Sequence, residues 1–186
     1  MNDFFRKFIF SKSNVLLVHN NYSKKALLQF FRDKSRIKIL KHGNYCDFVE
    51  LYPDIVLSST AVSTDTFKVG FIGQIKRVKN IEFVLGAISE LEGYSLTVKG
   101  KVSEYKEEEL ITLINKKNVT CEYKFGYLSN ADLIKELRYL DIIVLSYKEI
   151  YQSGILLLAM SSGAIVLCSD LIAFKEIITN GVNGFL

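Results

Sequence analysis

Nowhere does this sequence run apolar and uncharged for the ~20 residues that a membrane-spanning helix requires, so it has no candidate transmembrane segment. Its N-terminus, Met1 to Phe10, is aromatic and basic. It lacks both an uninterrupted apolar core and a small-residue cleavage site, so it does not read as a signal peptide. Cysteine is scarce: Cys46, Cys121 and Cys168 are scattered and odd in number. With no C-x-x-C and only His19 and His42, neither a disulfide framework nor a zinc site is expected, which favours a reducing, cytoplasmic compartment. No G-x-x-x-x-G-K-[S/T] occurs, which excludes a P-loop nucleoside triphosphatase. Gly70-Phe-Ile-Gly73 is not G-x-G-x-x-G, and no acidic residue ends the strand at Val98-Lys99, which argues against a dinucleotide site. No G-x-S-x-G elbow exists for a hydrolase.

What remains is a globular composition, 49% apolar and 24% charged over 186 residues. The net charge of +4 is uneven: residues 1–50 hold ten Lys/Arg against four Asp/Glu. A basic segment beside a near-neutral remainder suggests an anionic partner such as a membrane surface or a phosphorylated substrate. Nucleic acid is disfavoured, because there is no RNP-like aromatic motif and no finger spacing. The only proline, Pro53, falls in a stretch that also holds Ser58 to Thr64, so residues 44–65 read as a linker.

Hydrophobic periodicity predicts an ordered alternation. Asn2 to Phe10 reads as an amphipathic helix and Asn14 to His19 as a buried strand. Tyr22-Ser23 opens a helix with Ser23 as its cap, and Arg36 to Leu40 is a strand. From Thr66 the pattern is regular. Strands are predicted at 67–72, 94–98, 119–125, 141–145 and 164–168, and helices at 80–91, 104–115, 130–139, 155–160 and 171–178. Strands alternating with helices of this length imply a Rossmann-like, doubly wound parallel sheet, here over residues 63–186, with a partial second α/β unit in residues 1–62. The closing turn Gly181 to Gly184 and the two-strand start both read as cut ends.

Ligands of such a sheet bind beyond the carboxyl ends of its strands. Two segments converge there. Gly73-Gln-Ile-Lys-Arg-Val-Lys-Asn80 offers a tight turn at Gly73 and the cations Lys76, Arg77 and Lys79. Gln152-Ser153-Gly154 starts an apolar helix, presenting free backbone N–H groups, the positive end of the helix dipole and a serine hydroxyl. Cations plus one helix N-terminus suit a diphosphate. Each lysine alone reads as an ordinary surface charge, and Ser153 alone as a helix cap.

Several segments, in order, resemble the GT-B fold retaining glycosyltransferases of the family 4 type. Phe71 to Ala87 resembles the "GR-or-GQ … K-G/N … A" segment, and Lys124-Phe-Gly-Tyr-Leu-Ser-Asn-Ala-Asp-Leu133 the "G-y-l-s … e/d-l" turn. Tyr139 to Tyr147 resembles the "a-D-i-x-v-l-P-y" strand, Gln152 to Gly163 the donor-phosphate helix, and Phe174 to Leu186 the closing "E-i-i … G-x-n-G-f-l". Upstream, Ile37 to Asn44 resembles the strand that ends the family's first domain. The resemblance covers roughly residues 14–186. It implies transfer of a sugar from a UDP- or GDP-sugar, held by residues 63–186, to a saccharide or lipid-linked saccharide at the cytoplasmic membrane face. Residues 1–62 would be the tail of the acceptor domain. It implies that Gly73, Gln74, Lys76, Arg77 and Lys79 line the diphosphate site with Gln152, Ser153 and Gly154. Gly126, Tyr127 and Leu128 would lie near the base. No metal and no cofactor is implied, because cations and a helix dipole serve the electrostatic role.

The sequence departs from the family at the two glutamates it usually places eight positions apart. The second falls at Leu158, which cannot hydrogen-bond a ribose, and the first at Ile150. Glu149 either takes over that catalytic position through a loop shift or is a surface charge. A non-catalytic nucleotide-binding module is the alternative that Leu158 favours. A plain interaction domain is disfavoured by the cations after the first strand.

Overall fold

The computed structural model describes residues 3–31, 33–55 and 66–186. Five strands form one parallel sheet in the order β5-β4-β3-β6-β7: β3 (Phe67–Ile72), β4 (Tyr94–Gly100), β5 (Cys121–Phe125), β6 (Ile142–Leu145) and β7 (Ile165–Cys168). The chain lays β4 and β5 on one side of β3, then returns to lay β6 and β7 on the other. The sheet is therefore doubly wound, and its switch point lies between β3 and β6.

The two faces carry separate cores. Val69 and Phe71 of β3, with Leu96 and Val98 of β4, pack on Ile81, Val84, Leu85 and Ile88 of α4 (Ile81–Ser89) and on Leu110 and Ile114 of α5 (Glu107–Lys116). Ile72 and the β6 residues Ile143 and Leu145 face the other way. They meet Ile134 and Leu137 of α6 (Asn130–Tyr139), Leu156 and Ala159 of α7 (Gly154–Ser161), and Phe174 of α8 (Ile172–Lys175). Strand residues alternate between faces because successive side chains of a strand point oppositely. Burying each such Leu, Ile or Phe contributes about 1.5–3 kcal/mol.

A smaller unit precedes the sheet. It holds α1 (Asp3–Lys12), β1 (Leu16–Val18), α2 (Asn21–Leu28) and β2 (Ile37–Ile39), with β1 and β2 parallel. Leu16, Val18 and Ile37 pack on Phe10, Leu27, Leu28 and Phe31. The cap of α2 is Asn20, not Ser23: its side-chain oxygen accepts from the Ser23 N–H at 2.7 Å. The Asn20 side-chain oxygen, three residues earlier, reaches that N–H, so Ser23 lies inside the helix.

The expected linker is also partly structured. Residues Cys46–Glu50 form a short helix, α3. Val49 is buried, and Tyr45, Phe48, Tyr52 and Ile55 pack against the core of α6 and α7. Aromatic and apolar residues at helical spacing outweigh the turn signal of Pro53, which lies beyond the helix end. The boundary expected at residues 62 and 63 lies outside the described residues. Among the described residues, no helix is long and apolar enough to cross a membrane.

Candidate nucleotide-sugar site

The loop after β3 is laid directly on the end of β4. Gly73 N–H donates to Lys99 O at 2.9 Å, and Ile75 N–H to Lys101 O at 2.9 Å. Gly73 and Gly100 both have positive φ, 105° and 141°. A Cβ on Gly100 would stand 1.9 Å from the Gly73 carbonyl oxygen, so only glycine fits. The loop then makes a single 3-10 turn over Arg77–Lys79 and enters α4 through Asn80, itself left-handed at φ 58°.

This path brings Lys79 back over the switch point. Its Nζ lies 3.6 Å from where a Cβ on Gly73 would stand, and Ile155, in the first turn of α7, lies 3.8 Å from the same point. The Lys79 ammonium also sits 5.1 Å from the centre of the Tyr147 ring. The loops of β3 and β6 are tied together beneath it. The Ser146 hydroxyl donates to Lys79 O at 2.8 Å, and Lys148 N–H to Val78 O at 2.8 Å. Among the described residues, no carboxylate pairs with Lys79. Burial and then the neighbouring Lys76 charge lower its pKa to about 8.

Arg77 is held elsewhere. Its guanidinium donates to Glu109 Oε1 at 2.9 Å and to Glu104 O at 3.1 Å, and covers the Tyr105 ring at 4.4 Å. Of these two cations, Lys79 is thus the one brought to the start of α7, and Lys76 is half-buried and near enough for its charge to act on Lys79. Gln74 is exposed.

Ser153 caps α7: its Oγ accepts from Leu156 N–H at 3.3 Å, and the residue is buried. Burial pushes the Tyr147 phenol up to about 12, and a hydrogen bond to Ser153 opposes this. Gly154 is exposed at the helix start, where the Tyr45 hydroxyl lies 3.4 Å from its absent Cβ. Gln152 turns a buried Nε2 inward with no hydrogen-bond partner. Gly126 follows β5 with φ 129° and donates to Gly100 O at 3.0 Å. Tyr127 beside it is 83% exposed, and Leu128 packs on the core.

Glu149 is exposed and lines a separate cavity of about 170 Å³ with Tyr22 and Asp170. Leu158 is buried among the apolar residues of α6, α7 and β6. Among the described residues, no three His, Cys, Asp or Glu side chains gather to hold a metal ion.

Contacts from the N-terminal unit complete the edge. The Glu176 carboxylate accepts from the Asn21 and Tyr22 N–H groups at 2.9 and 2.7 Å, and from Asn21 Nδ2 at 3.2 Å. Asn20 Nδ2 donates to Tyr151 O at 2.6 Å, and the Tyr22 and Tyr151 rings stack at 5.4 Å. Tyr45 N–H donates to Ser161 Oγ at 3.0 Å. Nothing in local periodicity announces these pairs. Glu176 and His42 carry a signal only as part of the motifs quoted above.

The sequence model of the family "Glycosyl transferases group 1" matches residues 66–186, more than half of the chain, and the chain belongs to that family. No curated protein matches it in sequence. Among solved structures, it is similar to HepE of Anabaena in complex with UDP-glucose. That match has a TM-score of 0.75 and 14% identity over 93% of this chain and 49% of that one. It is also similar to sucrose-phosphate synthase of Thermosynechococcus elongatus, with a TM-score of 0.77 and 14% identity over 98% and 47%. TarM of S. aureus, in a complex that includes UDP, matches with a TM-score of 0.72 and 18% identity over 95% and 34%. The chain thus spans about half the length of these structures, or less. They share its GT-B, Rossmann-like fold.

Proposed function

We propose that this chain is the donor-binding part of a glycosyltransferase that takes a sugar from a UDP- or GDP-sugar. The observation that carries this reading is Lys79: a largely buried ammonium without a carboxylate partner among the described residues, held at the switch point beside the Ser153-capped start of α7. A buried, unneutralised cation next to free helix N–H groups is arranged for an anion that arrives from outside. Lys79, with Lys76 behind it, holds the diphosphate and offsets the charge that builds on the leaving group. Ser153 and Gly154 bind a phosphate through the helix start, and Gly126, Tyr127 and Leu128 form the edge nearest the base. The UDP and UDP-glucose in the HepE and TarM complexes support this choice of ligand. Retention, independence of metal and a saccharide or lipid-linked acceptor at the inner membrane face, in cell-surface polysaccharide synthesis, complete the proposal.

The test is a thermal melt of the chain with and without excess UDP or GDP, repeated for Lys79→Ala and Ser153→Ala. A nucleotide at about 100 times its dissociation constant adds about 2.7 kcal/mol. Stabilisation by one nucleotide, reduced in both variants, supports the site and names the base. A cooperative melt that neither nucleotide moves rejects it. Buried Leu158 favours a second reading, a module that binds the nucleotide sugar without transferring it. Turnover of the donor, even by hydrolysis, separates the two.

A further inference from the structure

The only two histidines of the chain meet in one cavity. It has a volume of about 120 Å³ and lies between the carboxyl ends of β1 and β2 and the start of α7; His19, Lys41, His42, Gln152 and Glu176 are among its walls. The two imidazoles stand edge to face with centroids 5.3 Å apart. Each has its Nδ1 against a backbone carbonyl, His19 at 3.0 Å from Leu40 O and His42 at 2.7 Å from Gly43 O. A carbonyl only accepts, so both Nδ1 atoms carry a proton, and in the neutral ring both Nε2 atoms are lone-pair acceptors. The Tyr45 hydroxyl reaches His42 Nε2 at 3.5 Å; His19 Nε2 has no partner among the described residues. Gln152 lines the same cavity and holds a buried Nε2 donor with no hydrogen-bond partner among the described residues.

We infer that this cavity is a subsite for sugar hydroxyls, in which His19 Nε2 accepts from one hydroxyl and the Gln152 amide donates to another. The inference rests on reading the chain as a nucleotide-sugar transferase and adds the residues that read the sugar. A buried donor left unpaired is costly, and a ligand that pairs it recovers that cost. An unpaired acceptor and an unpaired donor on residues that line one cavity match a group that both gives and takes a hydrogen bond, and a hydroxyl is that group. A phosphate fits less well: Lys41 would attract it, but it needs donors only, and here it also meets an imidazole lone pair and the Glu176 carboxylate. A metal ion does not fit, since no three ligating side chains gather among the described residues. The volume is below the ~300–1,000 Å³ of a whole small-molecule site, so the cavity takes one edge of a sugar ring.

Two histidines make the test direct. Side-chain ¹⁵N spectra of the chain contain two imidazoles, both expected as Nδ1–H tautomers. Methyl hexosides of gluco, galacto and manno configuration are titrated in, with and without UDP or GDP. The expected result is a saturable shift of the His19 Nε2 signal by at least one hexoside, abolished in Gln152→Ala, which removes the donor but leaves both rings. No saturable shift with any hexoside overturns the subsite. So does a shift caused by UDP or GDP alone, because it assigns the cavity to the nucleotide. Failure of the donor site reads differently: neither nucleotide moves the melt, whatever the imidazoles do.

Discussion

The Lys79 ammonium and the Tyr147 ring stand 5.1 Å apart, and the Tyr147 phenol is in turn close enough to Ser153, the cap of α7, for that residue to hold its pKa down against burial. The cation of one loop is thus coupled through an aromatic face to the helix start of another. A ring face weakly stabilises a cation, far less than a carboxylate in the same place would.

The first prediction follows from that incomplete compensation. Lys79 has a folded-state pKa of about 8 against an ordinary 10.5, chiefly because it is buried. The folded chain therefore loses this proton first. Between pH 8 and 10.5 the unfolded chain binds more protons, so this residue makes stability rise with pH across that window. Lys79→Met is expected to melt higher than the parent at pH 7 and to flatten the rise. Nucleotide binding runs the other way. It needs the charged ammonium, so affinity for UDP or GDP falls above pH 8, and calorimetry in buffers of different ionisation heat detects proton uptake there.

Ser153 serves both the fold and the site. Its Oγ accepts from Leu156 N–H, so Ser153→Ala leaves a buried donor and is expected to cost about 0.5–2 kcal/mol. Ser153→Gly costs only a few tenths, because glycine tolerates the cap position. Denaturant midpoints of the two variants check this ranking. Any loss of nucleotide affinity in Ser153→Gly, where the helix start survives, reports the hydroxyl itself.

The α/β alternation was legible because the strands are either short apolar runs, as β6 and β7, or carry apolar residues at alternate positions, as β4 and β5; the spans 67–72 and 130–139 coincide with β3 and α6. The edge of the sheet was legible from the same alternation, which puts Gly73, Lys79 and Ser153 at the carboxyl ends of the strands. Side-chain direction was not. Arg77 and Lys79 are two residues apart in one turn, yet Glu109, 32 residues on, draws the first away while Tyr147 keeps the second. Asn21 and Glu176 are 155 residues apart, and their pairing depends on how two units dock, which carries no periodic signature.

That docking is open to test. Burial raises the Glu176 pKa, but the N–H groups of Asn21 and Tyr22 lower it by more, leaving it below the ordinary 4.5. Its contribution is fully present above 4.5 and is lost as pH falls through the folded value. Glu176→Ala removes an acceptor shared by three donors and is expected to speed hydrogen exchange at Asn21 and Tyr22 at neutral pH, leaving β3 and β6 protected. The parent should show the same local opening only in acid. Equal acceleration throughout the sheet would mean that the two units unfold together.

Gly100 makes the final link between the sheet and the site. It has φ 141°, and a Cβ there would meet Gly73 O at 1.9 Å and Gly73 C at 2.7 Å, backbone atoms that cannot swing aside. Gly100→Ala therefore combines a strained backbone, about 1–3 kcal/mol, with a clash that pushes the β3 loop off β4, about 1–3 kcal/mol more. The displaced segment holds Gly73 and leads through the 3-10 turn to Lys79, so the effect extends beyond stability. The variant is expected to unfold at a lower denaturant concentration and, where still folded, to bind UDP or GDP more weakly than its lost stability explains. Gly181→Ala, outside the site, is the control: it too has positive φ, 76°, but a Cβ there has nothing within 4 Å. It should show the strain without the displacement. If both variants lose stability and nucleotide affinity in the same proportion, the contact between Gly73 and Gly100 has no special part in positioning Lys79.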